Sequence, residues 1–267
     1  MSFWRKMYGT AKLAVVSQFE YRINLFVDAV IQPLIGSLIE MAMWYAIFSS
    51  LGQLTLAGYT RDYYLVYALW ASFFSRISAN WMYEFRMIDE IESGKINGLL
   101  LRPISFYEYY LGQYLGYKSL TGVFSFLIPI SVCLVVSSPV QLIRLPLAVS
   151  LLFYYVIFIH TVSFCIASLG FFFNKIHSVT IAKNISIWLL SGEIFPLDLV
   201  PDPYKKILLW LPFSSGVFVP TGYLTGRLQV SDVVLGFKSV SLGLCVSGLV
   251  AAIVWRQGRR VYSGTGA

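Results

Sequence analysis

From Leu145 to Asn174 the chain runs thirty residues without an Asp, Glu, Lys or Arg. A helix of that length spans about 45 Å, and the hydrocarbon core of a bilayer needs only about 20 apolar residues in helical form. The run therefore crosses a membrane, with length to spare for tilt or for reaching past the headgroups. The rest of the chain agrees: 57% of residues are hydrophobic and 12% charged, and mean hydropathy is +0.70, whereas a soluble domain carries about 25% charged residues. The 267 residues are better counted in spans than in soluble domains, and about six spans fit, with no room for a separate catalytic domain.

The fold class expected is an all-α integral membrane protein, a single domain over residues 1–267. The spans read as Leu25 to Phe48, Tyr63 to Glu84, Gln113 to Val136, Leu147 to Phe173, His177 to Pro196 and Val233 to Trp255. Ahead of them Phe3, Met7, Ala11, Val15 and Phe19 recur at helical spacing with charges on other faces. Residues 1–22 thus read as an amphipathic helix lying in the interface, the alternative being a frayed tail. They lack the compact apolar core and small-residue cleavage site of a signal peptide, so the mature protein is expected to keep them.

The net charge of +7 is spread among apolar segments rather than gathered on one soluble face, so orientation in the membrane explains it better than nucleic-acid binding. With the N-terminus inside, most of the 20 Lys and Arg residues fall on cytoplasmic segments, among them Arg5, Lys6, Lys12, Arg86, Lys95, Lys118, Lys175, Arg259 and Arg260. The positive-inside rule then puts both termini in the cytoplasm. Residues near Gly58, Pro139 and Asp202 face outward on this reading; Gly9, Gly94, Lys175 and Gly264 face inward.

Material for catalysis is thin. His160 and His177 are the only histidines, and there is no H-E-x-x-H, no G-x-S-x-G and no G-x-x-x-x-G-K-[ST] phosphate loop. Cys133, Cys165 and Cys245 lie in apolar runs without C-x-x-C spacing and read as small hydrophobes. No catalytic residue and no metal site are expected. Ionisable groups inside spans are more informative, because charge in hydrocarbon is costly and takes a partner or a watery path. Asp28, Glu40 and Arg76 qualify. Gln32, Gly36 and Glu40 form one polar stripe on the first span. Arg76, on the antiparallel second span, lies within reach of Glu40 or Asp28, either as a structural ion pair or as a contact for substrate headgroups. Gly112 and Gly116 make a G-x-x-x-G at the mouth of the third span, a spacing that allows close helix packing.

Two segments remain. After the fifth span, Gly192, Glu193, Pro196, Pro201 and Pro212 break the chain into short pieces. Residues 197–228 then read as half-helices dipping into the outer leaflet, or else as a soluble outer loop. Between the second and third spans, residues 85–104 read as a cytoplasmic segment that opens on a helix with Met87, Ile88 and Ile91 on one face and Asp89, Glu90 and Glu92 on others, ended by Gly94. Its apolar face is expected to dock into a groove on another protein, the acids meeting basic residues around that groove; a solvated acidic loop is the alternative.

Two stretches carry a family resemblance. Ile91-Glu-Ser-Gly-Lys-Ile-Asn-Gly-Leu-Leu-Leu-Arg-Pro-Ile-Ser105 is one, and Ser191-Gly-Glu-Ile-Phe-Pro-Leu-Asp-Leu-Val-Pro201 with Leu211-Pro-Phe213, Pro220 and Gly226 is the other. They resemble signatures of the permease subunits of ABC-2 type ATP-binding cassette transporters, especially the subgroup in which two related permeases work with one ATPase. Glu193 stands where that pattern has a small or apolar residue. The resemblance implies a permease half that needs a second permease, related or identical, and two ATPase subunits, with membrane lipid around it and no nucleic acid. ATP and Mg would be bound by the ATPase, and no cofactor by this chain. It also implies an ATPase-coupling interface over residues 85–104 that includes Arg102 and Pro103, outer re-entrant helices after the fifth span, a place in the bacterial cytoplasmic (inner) membrane, and export. The rival readings are an intramembrane enzyme, a membrane scaffold or sensor subunit, and a self-sufficient secondary carrier.

Overall fold

The computed structural model describes residues 3–135 and 140–263. Val136, Pro139 and Gly264, assigned above to a span end, an outer loop and the inner side, lie outside the described residues. In chain order the helices are α1 (Phe3–Glu20), α2 (Arg22–Leu51), α3 (Arg61–Ser78), α4 (Trp81–Glu92), α5 (Asn97–Leu100), α6 (Phe106–Val135), α7 (Leu142–Phe171), α8 (His177–Ser191), α9 (Tyr204–Trp210), α10 (Phe218–Leu224) and α11 (Val230–Val261). A hairpin of β1 (Thr55–Leu56) and β2 (Tyr59–Thr60) joins α2 to α3.

Helices α2, α6, α7 and α11 are each long and apolar enough to cross a membrane. Ile35 and Ile39 on α2, Val123 and Leu127 on α6, and Leu242, Val246, Leu249 and Ile253 on α11 are exposed. Soluble monomers rarely present such apolar faces, and lipid covers them without cost. Helix α3 is different in kind. Nearly every side chain from Tyr63 to Ser78 is buried, so the helix faces protein rather than lipid, which is why it tolerates three tyrosine and three serine hydroxyls. Its rings pack outward: Tyr64 lies 4.5 Å from Trp44 of α2 between ring centroids, and Phe74 lies 5.4 Å from Phe126 of α6.

The second span expected from Tyr63 to Glu84 is not one helix. Helix α3 stops at Ser78, Ala79 is extended, and α4 restarts at Trp81. No proline or glycine causes the break. Side chains of α6 instead take up carbonyls at the end of α3: Tyr114 Oη donates to Ser78 at 3.0 Å and to Ala79 at 3.3 Å, and Lys118 Nζ donates to Arg76 at 2.6 Å. These bonds stabilise an end that would otherwise leave its last carbonyls unpaired.

Helix α1 lies along the start of α6, with Met7, Thr10 and Ala14 buried. The seat is the G-x-x-x-G. A methyl group at Gly112 would stand 1.9 Å from Thr10 Oγ1, and one at Gly116 2.4 Å from the Ala11 carbonyl. Phe3 and Phe19, on the apolar stripe expected to lie in the interface, are exposed.

Candidate functional site

The intramembrane charges fall into two neighbourhoods. In the first, residues Val27–Ile31 of α2 wind as a π-helix, a local widening that recurs at functional positions. Arg76 Nη2 stands 2.6 Å from Asp28 Oδ1, and Arg76 Nε donates to the Asp28 carbonyl at 2.8 Å. Tyr117 donates to the other carboxylate oxygen, and Ser125 Oγ donates to the Ala29 carbonyl at 2.6 Å. Lys118, 4% exposed, completes a cluster that ties α2, α3 and α6 together.

The second neighbourhood is a groove of about 180 Å³ between α2, α3 and α8. Gln32, Gly36 and Glu40 form one wall, Ser72, Ser75 and Arg76 the floor, and Trp81, Trp188 and Glu193 the far side. Ser72 faces Glu40 and Ser75 faces Glu193, and the two carboxylates are near enough for their charges to repel. Arg76 borders this groove, but its Nη2 and Nε are turned to Asp28.

Helix α4 carries the residues expected to meet a partner. The structure corrects which of them face outward. Met87 and Ile88 are fully buried and Ile91 is 3% exposed, because the apolar face packs into this chain's own core beneath α7. Glu84 is buried against Lys183 of α8, whose amine also donates to Ser163 at 3.3 Å. Glu92 accepts from the backbone of Lys175 at 2.9 Å and of Ile176 at 3.4 Å. Asp89, exposed, pairs with His177 at 3.0 Å, and Glu90 lies 3.8 Å from Arg86. Gly94 closes the helix. The outward part of the segment is its tip, where Leu101 is 89% exposed beside exposed Arg102 and Pro103.

At the other end of the bundle Gly192 ends α8 with φ +81°, and Tyr67 Oη donates to its carbonyl at 2.6 Å. A side chain there would be strained in backbone and would meet Phe218 Cβ at 2.9 Å. Pro196 leads into a short 3-10 turn, Leu197–Leu199; Pro201 precedes α9 and Pro212 opens a second 3-10 turn before α10. Asp198 holds this segment together. Its carboxylate meets Arg227 Nε at 2.5 Å, Lys205 Nζ at 2.8 Å and Tyr63 Oη at 3.2 Å. Burial pushes the Asp198 carboxyl up from its ordinary value against the pull of Lys205 and Tyr63, and burial brings the Arg227 guanidinium down to about 10, still charged at neutral pH. The Arg227 guanidinium lies 3.0 Å from the ring centroid of Tyr59.

Sequence reasoning missed Glu84 with Lys183, Lys118, and Asp198 with Arg227. Proximity to a span end made Lys118 read as cytoplasmic charge, and Lys183 lies within the fifth expected span near its inner end. Their burial was signalled only by tyrosines and serines at matching depth on neighbouring helices.

A shell of long apolar helices around a buried, hydroxyl-lined one, with internal ion pairs, is the architecture of a multi-pass membrane protein. The chain belongs to the ABC-2 family transporter proteins, whose family model matches residues 34–266. No curated protein matches the chain. The family is a component of membrane transport and not itself catalytic, so the chain is a permease subunit of an ABC transporter. Membership implies work with ATP-binding cassette ATPase subunits.

Proposed function

We propose that this chain is one of two permease halves, related or identical, of an exporter in a bacterial inner membrane, driven by two ATPase subunits that bind ATP and Mg. Helices α2, α3, α6, α7, α8 and α11 are the six crossings, and residues 197–228 form an outer re-entrant segment. Both termini and the α4–α5 segment face the cytoplasm, in keeping with the Lys and Arg bias. The groove beside Glu40 belongs to the substrate pathway, and lipid surrounds the outer faces.

The observation that carries the coupling part of this reading is the bracing of α4. Its apolar face is locked into the core, Glu92 grips the backbone of Lys175 and Ile176, and Tyr262 of the C-terminal segment donates to Asn97 at 3.1 Å. A segment so held moves only with the bundle, which suits it to pass a push from ATPase to pathway. The contact itself is then Leu101 with Arg102 and Pro103, in place of the apolar face of α4. Leu101→Asp adds a charge at an exposed position, where substitutions usually change stability by less than about 0.5 kcal/mol. The variant is expected to insert normally while losing co-purification with the ATPase, or its transport coupling. A Leu101→Asp permease that assembles and transports at the normal rate overturns this contact. Transport by the chain without any ATPase overturns the permease-half reading.

A further inference from the structure

We propose that the groove between α2, α3 and α8 binds an organic cation, its charge between Glu40 and Glu193 and its apolar body against Trp81 and Trp188. The proposal deepens the substrate-pathway reading and rests on it by naming the class of molecule the groove takes.

Carboxylates inside this bundle otherwise have cations. Asp28 has Arg76, Glu84 has Lys183, and Asp198 has Lys205 and Arg227. Glu40 and Glu193, both half-buried, have none among the described residues, although drawing an unpaired carboxylate part-way out of water is costly and drawing in two together more so. Arg76 is committed to Asp28. A second feature points the same way. Asn80, 2% exposed, lines a small hollow that adjoins the groove and shares Trp81, Trp188 and Glu193 with it, and neither its Oδ1 nor its Nδ2 has a hydrogen-bond partner. An orphaned buried amide is a cost that a bound molecule relieves.

The chemistry of the lining sets the sign of the ligand. Two carboxylates accept hydrogen bonds and attract positive charge, while an anionic headgroup would be repelled. Trp81 and Trp188 line the same space, about 44% and 45% exposed, and indole faces favour cations further. The hollow of about 180 Å³ is several times the roughly 30 Å³ share of one water molecule, so an organic group fills it better than a bare ion.

The test is equilibrium binding of radiolabelled tetraphenylphosphonium to the purified full-length chain in detergent, with competition by unlabelled tetraphenylphosphonium and by tetraphenylborate, an anion of nearly the same shape. Saturable binding is expected, displaced by the phosphonium and not by the borate. Glu40→Gln with Glu193→Gln, which keeps side-chain volume, should weaken binding at least about tenfold. Trp188→Leu, at the rim, should weaken it about threefold. Absence of saturable binding, equal competition by the borate, or unchanged affinity in the double variant overturns the proposal. If the double variant does not yield folded protein, unchanged affinity in Trp188→Leu overturns it instead. Binding requires no ATPase, so a failure here with Leu101→Asp still uncoupling transport removes the cation site and leaves the permease reading in place. The reverse outcome removes the coupling contact alone.

Discussion

Asp28 and Glu40 project from one helix about 18 Å apart along its axis, and the molecule treats them in opposite ways. Asp28 is saturated: both carboxylate oxygens and even its backbone carbonyl are engaged, by Arg76 and Tyr117. Glu40 meets only Ser72 and another carboxylate, in an open groove. The difference teaches where stability ends and function begins. A charge in hydrocarbon that is matched within the chain ties helices together, and one left unmatched is tolerated only where something outside the chain completes it. Glu84 and Lys183 extend the first class, joining the start of α4 to α8.

Substitutions that break matched pairs should therefore be costly and rescuable. The largest effect is expected at Glu84, which is fully buried. Glu84→Leu strands the Lys183 ammonium in the core and should destabilise by about 3–5 kcal/mol, and adding Lys183→Leu should return much of that loss. Unfolding of the detergent-solubilised protein, followed by thermal or chemical denaturation, reads both. A neutral Glu84→Leu would mean that water reaches the pair. Arg76→Leu should cost less, about 1.5–3 kcal/mol, because Asp28 is 25% exposed and keeps Tyr117. Asp28→Asn on top of it should restore part. Failure of that rescue would separate Arg76 from Asp28 energetically.

The long apolar helices were legible because lipid demands charge-free runs, and α2, α6, α7 and α11 follow the expected spans. Helix α3 was legible only roughly: its tyrosines and serines serve a protein environment, and its end at Ser78 depends on Tyr114 and Lys118, residues some thirty to forty positions away. The spacing of Met87, Ile88 and Ile91 correctly implied a helix with one apolar face. It did not say what covers that face, since a side chain buried against its own chain and one buried against a partner have the same pattern. The partnership of Glu84 with Lys183 spans 99 residues of sequence and left no local trace. Gln32, Gly36 and Glu40 were recognisable as a stripe from their spacing alone, yet Glu193, which faces Glu40, entered the reading only as part of the broken segment after the fifth span and as a departure from a family pattern.

The smallest effect is expected at Glu40, and it is the sharpest test of the comparison. Glu40→Gln keeps the shape of the side chain beside Ser72 while removing a charge that has no cation and faces another acid. Stability should change by less than about 0.5 kcal/mol, with any change toward greater stability, since repulsion with Glu193 is relieved. Tetraphenylphosphonium should stabilise the unsubstituted chain in the same unfolding assay, because a ligand that binds only the folded state adds to its stability by mass action, and that gain should shrink in Glu40→Gln. A loss on the scale of Arg76→Leu would show that Glu40 is held by a cation after all. The groove would then join the Asp28 cluster as a structural tie, and the division between matched and unmatched charge would fall.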